Sequence, residues 1–145
     1  MDIPYMLDSY GYPPVRAHDM DAGWDIRCPK DRVYELYPGD SITVHTGLHV
    51  LIPEGYVGML KSKSGLNVNY GIHGEGVIDA GYTGEIVVKL YRDAPEMPFM
   101  TPHTFVEGQK IIQLVILPIP QTDMTRVDRF PETDRGDNGF GSSGK

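Results

Sequence analysis

The sequence predicts an all-β protein, a jelly-roll-like β-barrel or sandwich with at most one short helix and a flexible C-terminal arm. Its 145 residues include 17 glycines and 12 prolines, which disfavours a helical bundle because long helices tolerate few of either. Several segments alternate apolar with polar residues between turn sequences, as short strands of a sandwich or barrel do. We therefore expect a single β domain over residues 1–130, followed by a glycine-rich arm over residues 131–145.

The longest predicted strand lies in the segment ITVHTGLHVLI. Every second position there is apolar or β-branched, which is typical of a strand buried on one face. The turn sequence Pro38-Gly39-Asp40 precedes it. The alternating residues are Ile42, Val44, Thr46, Leu48, Val50 and Ile52.

Three further strands are predicted from apolar, β-branched runs at Val57 to Leu60, Ile86 to Tyr91 and Ile111 to Ile119. The sequence Glu107-Gly108 predicts a turn before the last of them. The only candidate helix follows Ser64, in SGLNVNYG, where asparagine and glycine limit it to one or two turns.

The end of the chain has a different composition. From Thr122 the sequence becomes polar, and the final DRGDNGFGSSGK contains four glycines and one aromatic residue. Such a segment cannot bury enough apolar surface to stay folded by itself. We expect the arm to be disordered, or to be ordered by what it binds.

Composition and charge limit the classes of function. The net charge of −7 should repel nucleic acid, so an anionic ligand must meet a local cluster of cations. No segment approaches the ~18 continuous apolar residues of a membrane span. Cys28 is the only cysteine, and the first residues do not resemble a secretion signal. We therefore expect a cytoplasmic protein that contacts neither nucleic acid nor membrane.

Three apparent motifs have better ordinary explanations. The spacing from Gly139 to Lys145 fits a P-loop, but no Ser/Thr or helix follows the lysine. The aspartates between Asp19 and Lys30 resemble a calcium loop, but lysine stands where a glutamate should close it. His45 and His49 should share a strand face, yet no carboxylate or cysteine lies near them at a matching spacing. We interpret them as ordinary strand histidines.

Two segments carry chemistry. Lys61 to Gly65 alternates cations with hydroxyls and ends at a glycine, which suits a phosphate chain, although a basic strand end explains it about equally well. In the turn between Gly76 and Glu85, the Asp79 carboxylate could act as a base and the Tyr82 ring as the wall of a pocket. The alternative for this segment is a hairpin with a polar tip.

Five segments in order resemble the motifs of the homotrimeric deoxyuridine triphosphatase (dUTPase) family. Ala22 to Ile26 resembles Ala-Gly-x-Asp-Leu, and Lys63 to Leu66 resembles Arg-Ser-Gly-Leu. Gly76 to Gly84 matches Gly-x-Ile-Asp-x-x-Tyr-x-Gly. Gly108 to Leu114 resembles Gly-x-Arg-Ile-x-Gln-Leu, and Arg135 to Gly144 resembles Arg-Gly-x-x-Gly-Phe-Gly-Ser-Thr-Gly. Each motif alone is weak, but the ordered set covers most of the chain and is highly specific.

The resemblance implies a jelly roll of the dUTPase type that hydrolyses dUTP to dUMP and pyrophosphate. Water would attack the α-phosphorus in line, with Mg²⁺ as cofactor. The metal would be held by the triphosphate and by water, with no direct protein ligand. The family also implies a homotrimer with shared active sites, in which the arm closes over a neighbouring subunit's site.

The resemblance also assigns roles to residues. Asp79 would be the general base, with Asp25 and Ser64 as further catalytic residues, and Asp25 would act on the metal through water. Tyr82 would lie against the sugar, a β-hairpin from Ile72 to Ile78 would contact uracil, and Phe140 would stack on the base. The substrate-binding set is Lys63, Gly65, His73, Gly76, Val77, Ile78, Tyr82, Gln113, Arg135, Phe140, Gly141, Ser142 and Ser143.

The chain departs from the family motifs at several positions, and two rival functions share the predicted fold. Lys63 and Lys110 replace family arginines, which keeps the charge but loses the planar fork, and Gly81 stands where aspartate is frequent. The related dCTP deaminases need a strand glutamate as acid/base, and the corresponding residue here is Lys89. The second rival is a nucleotide-switched module that binds a regulatory protein partner.

Overall fold

The computed structural model describes residues 1–94 and 101–139, which form ten β-strands and one short helix. This confirms the prediction of an all-β protein with at most one short helix. No helix in the described part of the chain is long and apolar enough to cross a membrane. The elements are β1 (Tyr5–Leu7), β2 (Trp24–Arg27), β3 (Val33–Leu36), β4 (Ser41–Val50), β5 (Tyr56–Lys61), α1 (Ser64–Tyr70), β6 (Ile72–His73), β7 (Gly76–Ile78), β8 (Glu85–Arg92), β9 (His103–Val106) and β10 (Lys110–Pro118).

The strands form two four-stranded sheets and one two-stranded sheet. The first sheet has the order β1-β4-β8-β6, the second β2-β10-β5-β7, and the third pairs β3 with β9. Neighbouring strands run antiparallel in all three. Buried side chains from all three sheets join in one apolar cluster, which includes Val44 and Ile86 of the first sheet and Ile112 of the second. Burying these apolar faces together holds the sheets against one another.

The predicted long strand is confirmed as β4, which ends at Val50. Val44, Thr46 and Leu48 are buried at alternate positions, and the buried Thr46 hydroxyl donates a hydrogen bond of 2.6 Å to the Ile86 carbonyl. The register with β8 shifts within β4, around Gly47. This bulge provides room for the N-terminal segment to cross the strand.

One local prediction is wrong: the segment from Ile72 to Ile78 is not a hairpin. β6 pairs with β8 in the first sheet, whereas β7 pairs with β5 in the second. Gly74 lies between them, where a Cβ would be only 2.5 Å from the Lys89 carbonyl oxygen. The absence of a side chain therefore lets the chain pass close to β8 as it changes sheets.

The following connection, from β7 to β8, also joins the two sheets and is not the tip of a hairpin. The Tyr82 amide donates a hydrogen bond of 3.2 Å to the Asp79 carbonyl and closes a turn. Gly81 has φ 78° in this turn, a left-handed conformation that favours glycine and tolerates aspartate. This accounts physically for the glycine at a position where aspartate is frequent.

Gly47 provides a test of the bulge. Its φ is 68°, and a Cβ there would lie 2.8 Å from the Gly11 amide nitrogen, so Gly47→Ala should strain the backbone and displace the crossing segment. Gly55→Ala is the matched control, because Gly55 has φ 81° but open space around its Cβ position. We expect the control to lose ~1 to 2 kcal/mol of unfolding free energy, and Gly47→Ala to lose about 1 kcal/mol or more beyond that. Urea denaturation measures both, and equal losses would contradict the close crossing.

Candidate functional site

Segments distant in sequence meet at one cavity of about 250 Å³. The second sheet assembles them, because β10 pairs with β2 on one side and with β5 on the other. Gln113 of β10 stands opposite Asp25 of β2 and opposite Lys61 of β5, and α1 begins three residues after Lys61. The cavity is lined by Asp21, Ala22, Gly23, Asp25, Lys63, Ser64, Gly65 and Gln113.

A β-bulge in β10 places Lys110 on the same face of the sheet as Gln113. In a regular strand, two residues three positions apart point to opposite faces. Here the register with β2 shifts between Lys110 and Ile112, so Lys110 stands opposite Arg27 and Gln113 opposite Asp25. Arg27 and Asp25 are two positions apart and share a face, and their partners on β10 therefore share it too. The bulge therefore allows Lys110, in addition to Lys63, to contact Asp25.

Asp25 binds two lysine side chains. Lys63 Nζ donates a hydrogen bond to Asp25 Oδ1, and Lys110 Nζ donates one of 2.8 Å to Oδ2. The Asp25 side chain is 11% exposed, against 28% for Lys63 and 40% for Lys110. Burial acts to raise the pKa of Asp25, but the hydrogen bonds and charges of Lys110 and Lys63 outweigh it and hold the pKa below its usual value. The carboxylate stays ionised and keeps the two ammonium groups together.

This arrangement is suited to an anion. The Asp25 cluster, two ammonium groups on one carboxylate, carries one net positive charge, and the other carboxylate of the lining, Asp21, accepts a hydrogen bond from the His18 amide. The lining adds the Ser64 side chain, and no atom would lie within 4 Å of a Cβ at Gly65, so the backbone there is open. Cations, hydroxyls and accessible backbone amides are the groups that bind phosphate oxygens. Of the predicted site residues, the structure brings together Asp25, Lys63, Ser64, Gly65 and Gln113.

Gln113 and Ser62 connect this cavity to the backbone at Gly74, where the chain changes sheets. Gln113 Nε2 donates a hydrogen bond of 3.2 Å to the Ser62 carbonyl. The Ser62 hydroxyl accepts from the Gly74 amide and donates to the Gly74 carbonyl, each over 3.0 Å. This pair of bonds, together with the bond from Gln113, fixes the backbone between β6 and β7 relative to the lining of the cavity.

Other predicted site residues lie on the segment from Ile72 to Ile78. His73 lines a separate cavity of about 470 Å³ together with Tyr91, and the two rings are stacked with centroids 5.8 Å apart. Gly76, Val77 and Ile78 form β7, where Val77 is exposed and Ile78 is buried in the core. Ile78 can therefore offer a ligand only its backbone.

Asp79 and Tyr82 lie outside the cavity that Lys63 and Gln113 line. Both are exposed at the turn between β7 and β8, and neither lines the cavity around Asp25. The Tyr82 hydroxyl donates a hydrogen bond of 3.1 Å to the Glu85 carbonyl, which fixes the ring at the end of the turn. A single chain therefore does not bring its predicted base to its own predicted phosphate-binding residues.

The arm contributes one described site residue. Residues 117–138 are all exposed, and Arg135 Nε donates a hydrogen bond of 3.0 Å to the Asn138 carbonyl. The predicted contacts of Phe140, Gly141, Ser142 and Ser143 lie outside the described residues.

The two strand histidines do have carboxylate neighbours, so that part of the sequence analysis is wrong. His45 Nδ1 lies 2.9 Å from a Glu85 carboxylate oxygen, and His49 Nε2 lies 3.1 Å from one of Asp8. Asp8 follows β1 and Glu85 begins β8, and both strands pair with β4. The partners are distant in sequence, and only this pairing brings them to the histidines.

The fold and the cavity define an all-β protein with a cavity whose side chains suit phosphate groups. The sequence model of a protein family described as dUTPase matches residues 10–144. The chain is 39% identical over 147 residues to the deoxyuridine 5'-triphosphate nucleotidohydrolase of Leifsonia xyli, covering 99% of this chain and 91% of that one. It is 40% identical over 135 residues to the enzyme of that name from Corynebacterium glutamicum, covering 91% and 87%.

Solved structures agree with this result. The dUTPase of Staphylococcus bacteriophage 80alpha with dUpNHpp has a TM-score of 0.84 and 30% identity, covering 99% of both chains. A dUTPase of the S. aureus phage phi11, which coordinates a structural Mg(II) ion, has a TM-score of 0.76 and 28% identity, covering 90% of this chain and 99% of that one. The chain belongs to the dUTPase family. It has the jelly-roll type of fold of that family and hydrolyses dUTP.

These findings do not favour the deaminase alternative. Lys89, at the position of the deaminase glutamate, stands opposite Thr43 in the first sheet, and its ammonium group lies 5.3 Å from the centre of the Tyr91 ring. A lysine so placed provides no carboxylate to carry a proton in deamination.

The ion pairs of Asp25 predict a pH-dependent stability. Because the folded pKa of Asp25 is lowered, its ionised form stabilises the protein above the unfolded pKa of about 3.9, and this is lost as the pH falls through the folded value. At pH 7, Asp25→Asn should lower the unfolding free energy by ~1 to 3 kcal/mol, since it leaves two lysines without their partner. The difference from wild type should shrink below about pH 4.

Asp21→Asn is the control, because Asp21 lines the same cavity but its carboxylate accepts a hydrogen bond from the His18 amide. Urea denaturation of both variants at pH 7 and pH 3 makes the comparison. A pH-independent loss in Asp25→Asn, or an equal loss in Asp21→Asn, would contradict the role of the lysine pairs.

Proposed function

We propose that the cavity around Asp25 holds the triphosphate of dUTP while water attacks the α-phosphorus in line and pyrophosphate leaves. The observation that carries this proposal is the pair of lysines, Lys63 and Lys110, held on one carboxylate beside Ser64 and Gln113. Phosphoryl transfer needs little covalent chemistry from a protein, so positioning and charge stabilisation dominate. Fixed cations meet both needs.

Lys63 and Lys110 can bind phosphate oxygens as arginines would, but their ammonium groups differ from guanidinium in geometry. An ammonium group is a compact point charge, whereas guanidinium offers a planar fork that binds an oxyanion in two places. Here Asp25 holds each ammonium group by a hydrogen bond and so restricts its orientation. We propose that the Asp25 pairs replace part of the alignment that the arginine fork gives its relatives.

Asp79 is proposed as the general base that orients and deprotonates the attacking water. The hydrogen bond between the Tyr82 amide and the Asp79 carbonyl closes their turn, so one turn carries both the carboxylate and the Tyr82 ring. Tyr82 would lie against the deoxyribose and leave no room for a 2′-hydroxyl. The backbone from His73 to Ile78, fixed through Ser62 and Gly74, would contact uracil.

A complete site would need more than one chain. Asp79 and Tyr82 lie outside the cavity that Lys63 and Gln113 line. We therefore propose a homotrimer in which the cavity of one chain meets the Asp79 turn of a second. The exposed arm of a third, with Arg135 and the segment from Phe140 to Ser143, would cover the nucleotide. The full exposure of residues 117–138 in the single chain supports an arm that serves another subunit.

Mg²⁺ fits this site as a partner of the phosphates. Within the described residues, no three His, Cys, Asp or Glu side chains are grouped so that they could hold a metal ion. The Asp25 carboxylate is already occupied by two ammonium groups, so it would reach a metal only through water. When bound to the triphosphate, the ion would neutralise charge that develops on the phosphate oxygens.

Two expectations about the cellular setting stay predictions. Cys28 is fully buried as a free thiol, which is compatible with a reducing cytoplasm. The 80alpha dUTPase is described as controlling transfer of virulence genes by a proto-oncogenic G protein-like mechanism. A regulatory protein partner of the present chain is a prediction that no described contact tests.

Replacing the base tests the proposed chemistry. Asp79→Asn should lower kcat for dUTP by ~10²-fold or more, because the amide cannot accept the proton of the attacking water. The Kd for dUpNHpp, measured by calorimetry, should change little, since the triphosphate-binding residues remain. Asp40→Asn, another exposed turn aspartate, is the control and should keep kcat. A near-normal kcat in folded Asp79→Asn would overturn the assignment of the base.

A further inference from the structure

The N-terminal segment crosses β4 next to the Asp79 turn. After β1, the Asp8 amide donates a hydrogen bond of 2.8 Å to the Gly47 carbonyl at the bulge. The Tyr10 hydroxyl lies 3.2 Å from a carboxylate oxygen of Asp8 and 3.1 Å from one of Glu85. Because Glu85 begins β8, this crossing segment reaches the strand that carries the end of the Asp79 turn.

His49 connects the crossing segment to the turn itself. Its Nδ1 lies 2.9 Å from the Thr83 carbonyl oxygen, and its Nε2 lies 3.1 Å from Asp8 Oδ2. A carbonyl oxygen only accepts hydrogen bonds, so Nδ1 is the donor in the bond to Thr83. Thr83 directly follows Tyr82, and this bond therefore fixes the backbone at the C-terminal end of the turn.

The surroundings of His49 favour its doubly protonated ring. The imidazolium form donates from both nitrogens and satisfies both oxygen acceptors. The bond to the Thr83 carbonyl raises the pKa of His49 most, and Asp8 raises it further by its hydrogen bond and charge. Glu85 faces the ring from β8 and also raises the pKa, while burial opposes the shift only in part. The remaining titratable neighbours, Tyr10 and His45, contact the carboxylates of this cluster.

We propose that His49 is a positioning residue for dUTP hydrolysis, which ties the turn of Asp79 and Tyr82 to the N-terminal segment through Thr83 and Asp8. This inference rests on the proposed function, because it requires Asp79 to act from that turn. The Thr83 bond would set the distance of the Asp79 carboxylate from the α-phosphorus. A small displacement of a catalytic group costs a large factor in rate, even when its cause lies away from the chemistry.

The protonation state of His49 makes its hydrogen bonds to Thr83 and Asp8 depend on pH. Below its raised pKa, His49 donates to both Thr83 and Asp8. As the pH rises through that value, the ring keeps one N–H, and one of the two acceptors loses its donor. The advantage of wild type over a variant without these donors should therefore be largest at low pH and should decrease as the pH rises.

Three variants of the full-length enzyme separate positioning from a merely structural role. His49→Leu removes both donors and should lower kcat for dUTP about tenfold. His49→Asn carries an amide at about the reach of Nδ1, so it should donate to the Thr83 carbonyl and restore kcat to within about twofold of wild type. His45→Leu is the matched control on the same strand, because His45 contacts Glu85 and not the backbone of the turn. It should keep kcat within about twofold of wild type.

Measuring kcat and KM from pH 5.5 to pH 9 distinguishes the outcomes, with folding checked by melting temperature. The ratio of kcat between wild type and His49→Leu should decrease with rising pH, and the ratio between wild type and His49→Asn should decrease by the same factor, because neither replacement titrates. A folded His49→Leu with wild-type kcat, a failure of asparagine to rescue, or an equal loss in His45→Leu would each overturn the inference.

Parallel measurements on Asp79→Asn distinguish failure of this inference from failure of the proposed function. If Asp79→Asn loses activity while His49→Leu keeps it, only the positioning role is overturned. If Asp79→Asn keeps activity, both assignments fall. NMR titration of His49 in the nucleotide-free protein adds a readout independent of turnover: Asp8→Asn should move its midpoint to lower pH, and an unchanged midpoint would contradict the link to the N-terminal segment.

Discussion

The proposed phosphate-binding cavity depends on the ion pairs of Asp25 with Lys63 and Lys110. A largely buried carboxylate needs compensating partners, and the two lysines provide them. In return the carboxylate holds the ammonium groups together at the edge of a cavity, although their mutual repulsion would separate them. Two structural features make this possible: the pairing of β10 with both β2 and β5, and the bulge that moves Lys110 to the face of Asp25.

The second constraint is the separation of the chemistry within one chain. The cavity belongs to the second sheet, whereas the Asp79 turn leaves that sheet after β7 and enters the first sheet at β8. Hydrogen bonds fix each part locally: Ser62 holds Gly74 at the crossing, and His49 holds Thr83 at the end of the turn. The chain thus holds two separate parts of the proposed site in place by hydrogen bonds, which suits the proposed completion of the site by assembly.

Local patterns predicted those features that depend on local sequence. Alternation located β4, the helix after Ser64 was limited to two turns, and the segment from Lys61 to Gly65 contributes Lys63, Ser64 and Gly65 to the lining of the cavity. The features that were missed all arise from pairing between distant segments. Strict alternation would place Lys110 and Gln113 on opposite faces, and only the bulge corrects this. The histidine partners Asp8 and Glu85 and the sheet change at Gly74 also depend on strand neighbours that spacing does not reveal.

Mixing two defective chains tests whether an active site combines the Asp79 turn of one chain with the arm of another. Asp79→Asn chains and chains truncated after Phe130 should each be nearly inactive alone. If they are refolded together in equal amounts, a site works when its turn comes from a truncated chain and its arm from an Asp79→Asn chain. Random assembly then predicts recovery of about a quarter of wild-type activity per site. No recovery in trimers shown to be mixed would mean that the turn and the arm serve a site from the same chain, which would contradict the account.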